Sequence, residues 1–286
     1  MAIANLKEKI YNIIQIPTLP SIAAEMMEMT ENPNTTAAAL GQMIAKDQVL
    51  TAKVLKIANS PFYGFSRKIA TIDFAIIVLG FDTLKEVILS VSLISTMNKK
   101  KTKNFDVEQY WDHALACGVV ARALAKNYGY RVLGEVFVAG LLHDIGILLL
   151  NQFFPSEFKK MLNFIDEKNC DLETAEQDIL GSTHAEIGSW LADSWNFPSQ
   201  LIEAIAYHHH PSNAQKHIDV VSMIHIAEVM CQNLQKGKFD LEKGLQLETD
   251  VLQVANFKDT KLTLGYFDYY KEIFEEEITR ARAIIS

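Results

Sequence analysis

Cysteine is scarce in this sequence, which contains three: Cys117, Cys170 and Cys231. Cysteines that are odd in number and widely spaced provide neither a disulfide framework nor a Cys-x-x-Cys pair. Small secreted folds that depend on several disulfides are therefore excluded. We predict a protein of a reducing, cytoplasmic compartment.

Glycine and proline are also sparse, with 13 and 7 residues in a chain of 286. Long stretches instead repeat their apolar residues at helical spacing, which predicts an all-α fold. The hydrophobic fraction of 49% is enough for a full core, either in one large domain or in two modest ones.

A basic excess is missing, since the formal net charge is −8. Nucleic-acid-binding proteins usually carry a basic surface, so we predict no nucleic-acid partner. The lysine cluster at 99–101 and 103 lies between two apolar segments. We interpret it as a solvated linker that marks a domain boundary over 98–104.

The sequence shows no pattern typical of a leader or a membrane span. Residues 1–16 form an amphipathic stretch with Lys7, Glu8 and Lys9 in its middle, unlike a signal peptide. The longest apolar run, 136–150, is too short to cross a bilayer. We therefore expect no membrane partner.

The most informative feature that is present is the pair His143-Asp144, inside the otherwise apolar segment from Val136 to Leu150. A segment that is apolar on every side predicts a buried helix, here over 134–150. A buried carboxylate is costly unless something compensates its charge. A divalent metal ion is one candidate for Asp144; pairing with His113 or with a backbone donor is the alternative.

Further histidines fall at ordered positions of other predicted helices. Over 108–126, His113 shares one inward face with Cys117. The segment Thr183-His184-Ala185-Glu186 fits a capping box, which places His184 in a first helical turn. There the helix dipole disfavours the imidazolium form and leaves a lone pair to donate.

The remaining candidates are His208 and His209, in a histidine run before Pro211, and Glu228, on a predicted amphipathic helix over 218–235. Taken singly, such residues have simpler explanations as core histidines, a solvated helix end or a surface carboxylate. Taken together, neutral imidazoles and carboxylates are the ligands that borderline divalent metals prefer. We therefore predict a metal site.

The order of these residues resembles the HD superfamily of metal-dependent phosphohydrolases, and the chain is more closely similar to the HDOD family, the HD-related output domain of bacterial signalling. The resemblance covers roughly residues 14–235. It is carried by Ile16-Pro-Thr-Leu-Pro20, by the segment from Ile44 to Gly64 that ends in Ala58-Asn-Ser-Pro-Phe-Tyr-Gly64, by Ala75-Ile-Ile-Val-Leu-Gly80, by Gly140-Leu-Leu-His-Asp-Ile-Gly146 and by Ala204-Ile-Ala-Tyr-His-His-His-Pro211.

The resemblance implies an N-terminal helical HDOD subdomain over 1–100 and an HD-like helical domain over 105–286. It also implies one or two divalent metal ions, with iron, manganese, magnesium, zinc and nickel not distinguished. By position, the implied ligands are His113, His143 and Asp144, the extra ligands of binuclear relatives at His184, His208 and His209, and Glu228 where the HD motif closes with Asp. Asp144 is also the candidate catalytic residue.

The chain departs from the catalytic relatives at several accessory positions. Ile147 stands where they usually have Lys, His210 where an acidic residue is common, and Glu228 where they have Asp. Nothing resembling the Gly-Tyr-Pro segment of cyclic di-GMP phosphodiesterases follows the histidine run. The chain thus matches the catalytic relatives better at the implied metal ligands than at the residues that would assist turnover.

This pattern predicts a regulatory output module of signal transduction with little or no turnover. Its partner would be a signalling protein or a small nucleotide-like ligand. The alternative is an active metal-dependent phosphohydrolase that acts on a nucleotide or a cyclic dinucleotide. The sequence leaves both the enzymatic activity and the oligomeric state open.

Overall fold

The computed structural model describes residues 21–32, 35–59, 63, 68–97, 105–130, 133–233 and 245–248, with a few more between 274 and 281. Within these ranges the chain forms α-helices, one short 3-10 helix and their connections, with no strand. The all-α prediction is confirmed. The predicted amphipathic segment 1–16 and the linker 98–104 lie outside the described residues.

The chain divides into two compact units. The first contains the N-terminal helices: α1 Ser21–Glu31, α2 Ala37–Ala45, α3 Gln48–Ala58, α4 Ile72–Leu79 and α5 Phe81–Met97. The described residues between 275 and 281 group with this unit, whereas the sequence assigns them to the C-terminal domain. The domain limits drawn from the sequence stay a prediction.

Local side-chain chemistry sets the helix ends of this first unit. Thr36 and Asp47 cap α2 and α3 by accepting hydrogen bonds from backbone N–H groups of the first turn. Asn59, from the family-like Ala-Asn-Ser segment, donates to the carbonyl of Ile69 at 2.7 Å and accepts from its N–H at 2.8 Å. This one side chain therefore closes the connection between α3 and α4.

The second unit holds all the candidate site residues. Its helices are α6 Val107–Asn127, α7 Leu133–Leu142, α8 Ile145–Phe153, α9 Pro155–Lys168, α10 Leu172–Leu180, α11 His184–Ser194, α12 Ser199–Tyr207 and α13 Ile218–Asn233, with a 3-10 turn at Pro211–Asn213. Helix α6 packs against α7 and α13, and α11 packs against α8 and α12.

Glycines permit two close helix contacts in this unit. A Cβ at Gly140 on α7 would lie 2.7 Å from Cα of Gly118 on α6. A Cβ at Gly146 on α8 would lie 2.0 Å from the carbonyl oxygen of His184 on α11. Real Cβ atoms do not approach this closely, so only glycine lets these helices meet.

The predicted uninterrupted helix over 134–150 is wrong in one respect. The segment is buried as expected, but it breaks into α7 and α8, with His143 and Asp144 in the turn between them. His143 Nδ1 donates to the carbonyl of Gly140 at 2.7 Å. In a continuous helix that carbonyl would accept from the N–H of residue 144, so the side chain replaces a backbone hydrogen bond.

By length and hydropathy, the segment Leu133–Phe153 could cross a membrane, since its most apolar 18-residue window has a mean hydropathy of 1.9. However, 89% of its most apolar window is buried inside the protein. It is therefore placed as a core segment of the second unit.

Candidate metal centre

The carboxylate of Asp144 lies between two pairs of imidazoles. Its Oδ2 is 3.1 Å from Nε2 of His143 and 3.7 Å from Nε2 of His113. Its Oδ1 is 3.3 Å from Nε2 of His208 and 3.6 Å from Nε2 of His184. Asp144 is fully buried, and neither oxygen accepts a well-aligned hydrogen bond from the described residues.

The possible ligand atoms form two groups, in each of which all atoms lie within 4.8 Å of one another. One group is Asp144, His184, His208 and His209, and the other is His113, Cys117 and His143. Asp144 also approaches the second group through Oδ2. One carboxylate thus faces both groups, which suits a divalent ion in either of them.

Three of the histidines are held by their Nδ1 atoms, so that Nε2 faces Asp144. His143 and His208 donate from Nδ1 to the carbonyls of Gly140 and Ile205, at 2.7 and 2.8 Å. Because a carbonyl only accepts, Nδ1 carries the proton and a neutral ring presents a lone pair at Nε2. This tautomer is the one that metal ligands need.

Glu176 holds the third of these histidines. Its carboxylate accepts from Nδ1 of His184 at 2.9 Å and from the backbone N–H of His184 at 3.0 Å. A carboxylate behind a ligating histidine fixes the ring and raises its basicity. The capping box predicted at Thr183 is present and places His184 in the first turn of α11, as expected.

His209 and Glu228 form the outer part of the cluster. Nε2 of His209 lies 3.3 Å from Oε1 of Glu228, and its Nδ1 lies 3.5 Å from Oε1 of Glu173. Glu228 is fully buried, and its oxygens accept no hydrogen bond from the described residues. The structure brings Glu228 against His209 but not into either group of ligand atoms, so its role as a ligand stays a prediction.

The protonation states suit a divalent cation. Burial alone would raise the pKa of Asp144, but the imidazoles of His143, His208 and His184 hold it well below its usual range. Although burial of this carboxyl opposes the shift, His209 likewise lowers the pKa of Glu228. Burial lowers the pKa of His208 to about 4, with a further contribution from His209. Near pH 7 the centre offers charged carboxylates beside a neutral imidazole.

Sequence reasoning missed Glu176 and His225. Glu176 shares the buried face of α10 with Leu172, Ala175 and Leu180, and a glutamate at such a position was the available signal. His225 donates from Nδ1 to the carbonyl of His208 at 2.7 Å and accepts at Nε2 from the N–H of Glu248. Both its nitrogens are thus engaged, and Nδ1 supports the histidine run through the carbonyl of His208.

A groove of about 500 Å³ lies beside the buried cluster. Its lining includes the carboxylates of Glu173, Asp178 and Glu186, together with His209 and His210. Among the described residues that line it, none is Lys or Arg, and His209 is the one candidate ligand. The charged side chains that line this groove are therefore mainly acidic.

The fold and the buried cluster define an all-α protein with a candidate metal centre of the HD type. The family model for the HDOD domain matches residues 16–211, which is more than half of the chain. The protein belongs to the HDOD family.

Solved structures agree with this assignment. The chain is similar to an HDOD domain protein of unknown function from Geobacter sulfurreducens, with 26% identity, a TM-score of 0.80 and coverage of 96% of this chain and 98% of that one. It is also similar to a proposed phosphohydrolase from Shewanella amazonensis SB2B, with 25% identity, a TM-score of 0.76 and coverage of 100% and 98%.

A curated relative is an uncharacterized protein of Treponema pallidum (strain Nichols), 29% identical over 223 residues. The alignment covers 76% of this chain and 42% of that protein. The chain therefore spans less than half the length of this relative.

Proposed function

We propose that this protein is a regulatory module of bacterial signal transduction, in which an HD-type metal centre serves structure and ligand sensing with little or no phosphoester hydrolysis. The observation that carries the proposal is the contrast between a buried set of metal-ligating side chains and the acidic lining of the groove beside it. We further propose a cytoplasmic location and a partner that is a signalling protein or a small nucleotide-like ligand.

Burial of the ligands supports a binding role. His143, Asp144, His184 and His208 have no exposed surface, and His209 is 8% exposed. A catalytic metal keeps one coordination position open to substrate, whereas a structural metal is closed by protein ligands. The buried side chains around Asp144 correspond better to a structural metal site, which protein ligands close.

The charge around the groove also supports a binding role rather than catalysis. A phosphodiester or a nucleotide is an anion, and it would meet Glu173, Asp178 and Glu186 without a basic side chain among the described lining residues. The position where catalytic relatives usually have Lys is Ile147, which is fully buried on α8. The groups that would neutralise a phosphate in the transition state are thus missing from these positions.

The same chain still provides the residues that would hold metal. His113, His143 and Asp144 would hold one ion, and Asp144, His184, His208 and His209 would hold a second. A divalent ion bound there supplies Lewis acidity and a charge that compensates the buried carboxylates. Glu176 and the carbonyls of Gly140 and Ile205 keep the imidazoles oriented towards it.

A metal-dependent phosphohydrolase is the second candidate function. The specific observation in its favour is Asp144, whose two oxygens face two separate groups of ligand atoms. Two metal ions bound close together in one site can activate a water and stabilise a leaving oxygen. On this alternative the substrate would be a nucleotide or a cyclic dinucleotide.

Hydrolysis assays distinguish the two functions. Protein purified without a histidine tag is loaded with Mn²⁺, Fe²⁺ or Mg²⁺ and incubated with cyclic di-GMP and with bis(4-nitrophenyl) phosphate, and products are separated by chromatography. We expect product formation no faster than that of the Asp144→Ala protein. Metal-dependent turnover in the usual enzymatic range of about 1–10³ per second, lost in Asp144→Ala, would overturn the regulatory proposal in favour of the hydrolase.

A further inference from the structure

Cys117 is a buried side chain that the proposed function does not use. It lies one helical turn after His113 on α6, so both residues share one face. Its Sγ is 3.5 Å from Nε2 of His113, and the thiol is fully buried. The ligand atoms of His113, Cys117 and His143 all lie within 4.8 Å of one another.

The distance between Cys117 and His113 is that of neighbouring ligands on one ion. With metal–nitrogen bonds of about 2.0–2.1 Å and metal–sulfur bonds of about 2.3 Å, two tetrahedral ligands are roughly 3.3–3.6 Å apart. The separation between Sγ of Cys117 and Nε2 of His113 is 3.5 Å. Oδ2 of Asp144 lies 3.1 and 3.7 Å from Nε2 of His143 and His113, which brackets the same range.

Asp144 provides an independent reason to expect an ion at this place. Its carboxylate is fully buried, yet Oδ2 accepts no well-aligned hydrogen bond from the described residues while facing His113 and His143. A buried charge of this kind needs a compensating partner. An ion held by these residues would supply it, and Cys117 would complete a set of four.

We propose that Cys117 is the fourth ligand of an ion held by His113, His143 and Asp144, and that its sulfur makes this site selective for a borderline ion such as Zn²⁺, Fe²⁺ or Co²⁺ over Mg²⁺. This inference rests on the metal centre of the proposed function and adds its ligand chemistry. Thiolate favours the softer ions, whereas Mg²⁺ prefers oxygen.

Metal binding would change the protonation state of the Cys117 thiol without a redox reaction. Burial raises the pKa of Cys117 well above its ordinary value, and the neighbouring Cys231 raises it further. On binding, the S–H bond breaks, its electron pair forms the sulfur–metal bond and the proton leaves to solvent, as for coordinating thiols in general.

Cobalt substitution tests the proposal through a signal that does not depend on activity. Metal-free protein is titrated with Co²⁺, and the near-ultraviolet absorption is followed for sulfur-to-cobalt charge transfer. We expect the band in the wild type, its loss in Cys117→Ser and its retention in Cys231→Ser, the matched control for another buried cysteine. A large excess of Mg²⁺ should leave the band unchanged.

The possible outcomes separate this inference from the proposed function. Cobalt that binds without the band shows a metal centre that lacks Cys117, which overturns the inference and leaves the centre in place. A band that disappears in Cys231→Ser but persists in Cys117→Ser assigns the sulfur to Cys231 and also overturns it. If no cobalt binds at all, both the inference and the metal centre fail.

A second measurement needs no variant, in case Cys117→Ser does not fold. X-ray absorption at the zinc edge of the zinc-loaded wild type should detect a sulfur neighbour at about 2.3 Å in addition to nitrogen and oxygen at about 2.0–2.2 Å. A first shell of nitrogen and oxygen alone would refute coordination by Cys117.

Discussion

Nε2 of His184 lies 3.3 Å from Nε2 of His208, although the two residues belong to separate parts of the chain. The carboxylate of Glu176 and the carbonyl of Ile205 engage the Nδ1 atoms of these rings. In the neutral rings two lone pairs therefore face each other across this short distance, an arrangement that a shared cation or proton stabilises.

The role of Glu176 leads to the first prediction. In Glu176→Gln one oxygen remains for two donors, and the new amide group turns its own N–H atoms towards His184. We expect metal affinity to fall about 10- to 100-fold, as is usual when a partner behind a ligating histidine is changed. Competition with a chelator measures the affinity, and Glu167→Gln, at an exposed position of α9, is the control. Equal affinities in the two variants would contradict this role.

The contact between α8 and α11 leads to the second prediction. Gly146→Ala places a Cβ 2.0 Å from the carbonyl of His184, and backbone cannot move aside easily. Gly188→Ala meets a side-chain atom of Ile205 at 2.9 Å as its closest contact. We expect a loss of unfolding free energy of about 1 kcal/mol for Gly188→Ala and about 3 kcal/mol or more for Gly146→Ala. Denaturant titration measures both, and the reverse order would show that the helix contact is misplaced.

The third prediction concerns stabilisation by metal. A ligand at about 100 times its dissociation constant adds about 2.7 kcal/mol to the stability of the folded state. Each kcal/mol corresponds to about 2–4 °C in a domain of this size. Adding a chelator should therefore lower the melting temperature of the loaded protein by several degrees, and Asp144→Asn should not respond. Unchanged metal content and melting temperature in Asp144→Asn would show that Asp144 is not a ligand.

The fourth prediction concerns acid stability. The carboxylate of Glu203 accepts from the backbone N–H groups of Lys216 and His217 at 3.1 and 2.9 Å. Partial burial opposes the shift, but these hydrogen bonds lower the pKa of Glu203 below its ordinary value of 4.5. The stabilisation is thus fully present above about pH 4.5 and is lost as the pH falls through the lower, folded-state value.

Glu203→Gln tests this assignment by thermal melting as a function of pH. The variant should be less stable than the wild type near pH 7, and the difference should shrink as the pH falls below 4.5. Because Glu203 is only half-buried, solvent screens its charge and we expect a small effect. A difference that is constant across this range would show that the carboxylate charge does not matter.

Several helix starts have local determinants, because a capping side chain lies next to the first turn. Thr36 and Asp47 act as caps, and Thr183 with Glu186 forms the predicted box. The inward face of α6 was equally clear, since His113 and Cys117 are spaced by one turn and both are buried. Such features depend on residues within four positions of each other, so the sequence displays them directly.

The break at His143-Asp144 could not be predicted in this way. The surrounding segment is apolar throughout, and the hydrogen bond from His143 to the carbonyl of Gly140 leaves no mark on the hydrophobic pattern. The partners of each histidine also depend on helix contacts that Gly118 and Gly146 permit. Those contacts join positions far apart in sequence, so periodicity gives the inward residues but not which of them meet.

The aspartate at the helix break also affects whether this segment can insert into a membrane during synthesis. Leu133–Phe153 has the length and hydropathy of a membrane span, and Asp144 stands near its middle. On insertion scales, an aspartate at the centre of a span adds about 2.5–3.5 kcal/mol to the cost of entering the bilayer. Replacing Asp144 by leucine in a reporter fusion should therefore increase insertion of this segment by the translocon. The carboxylate that faces the candidate ligands also opposes the capture of this core segment by a membrane.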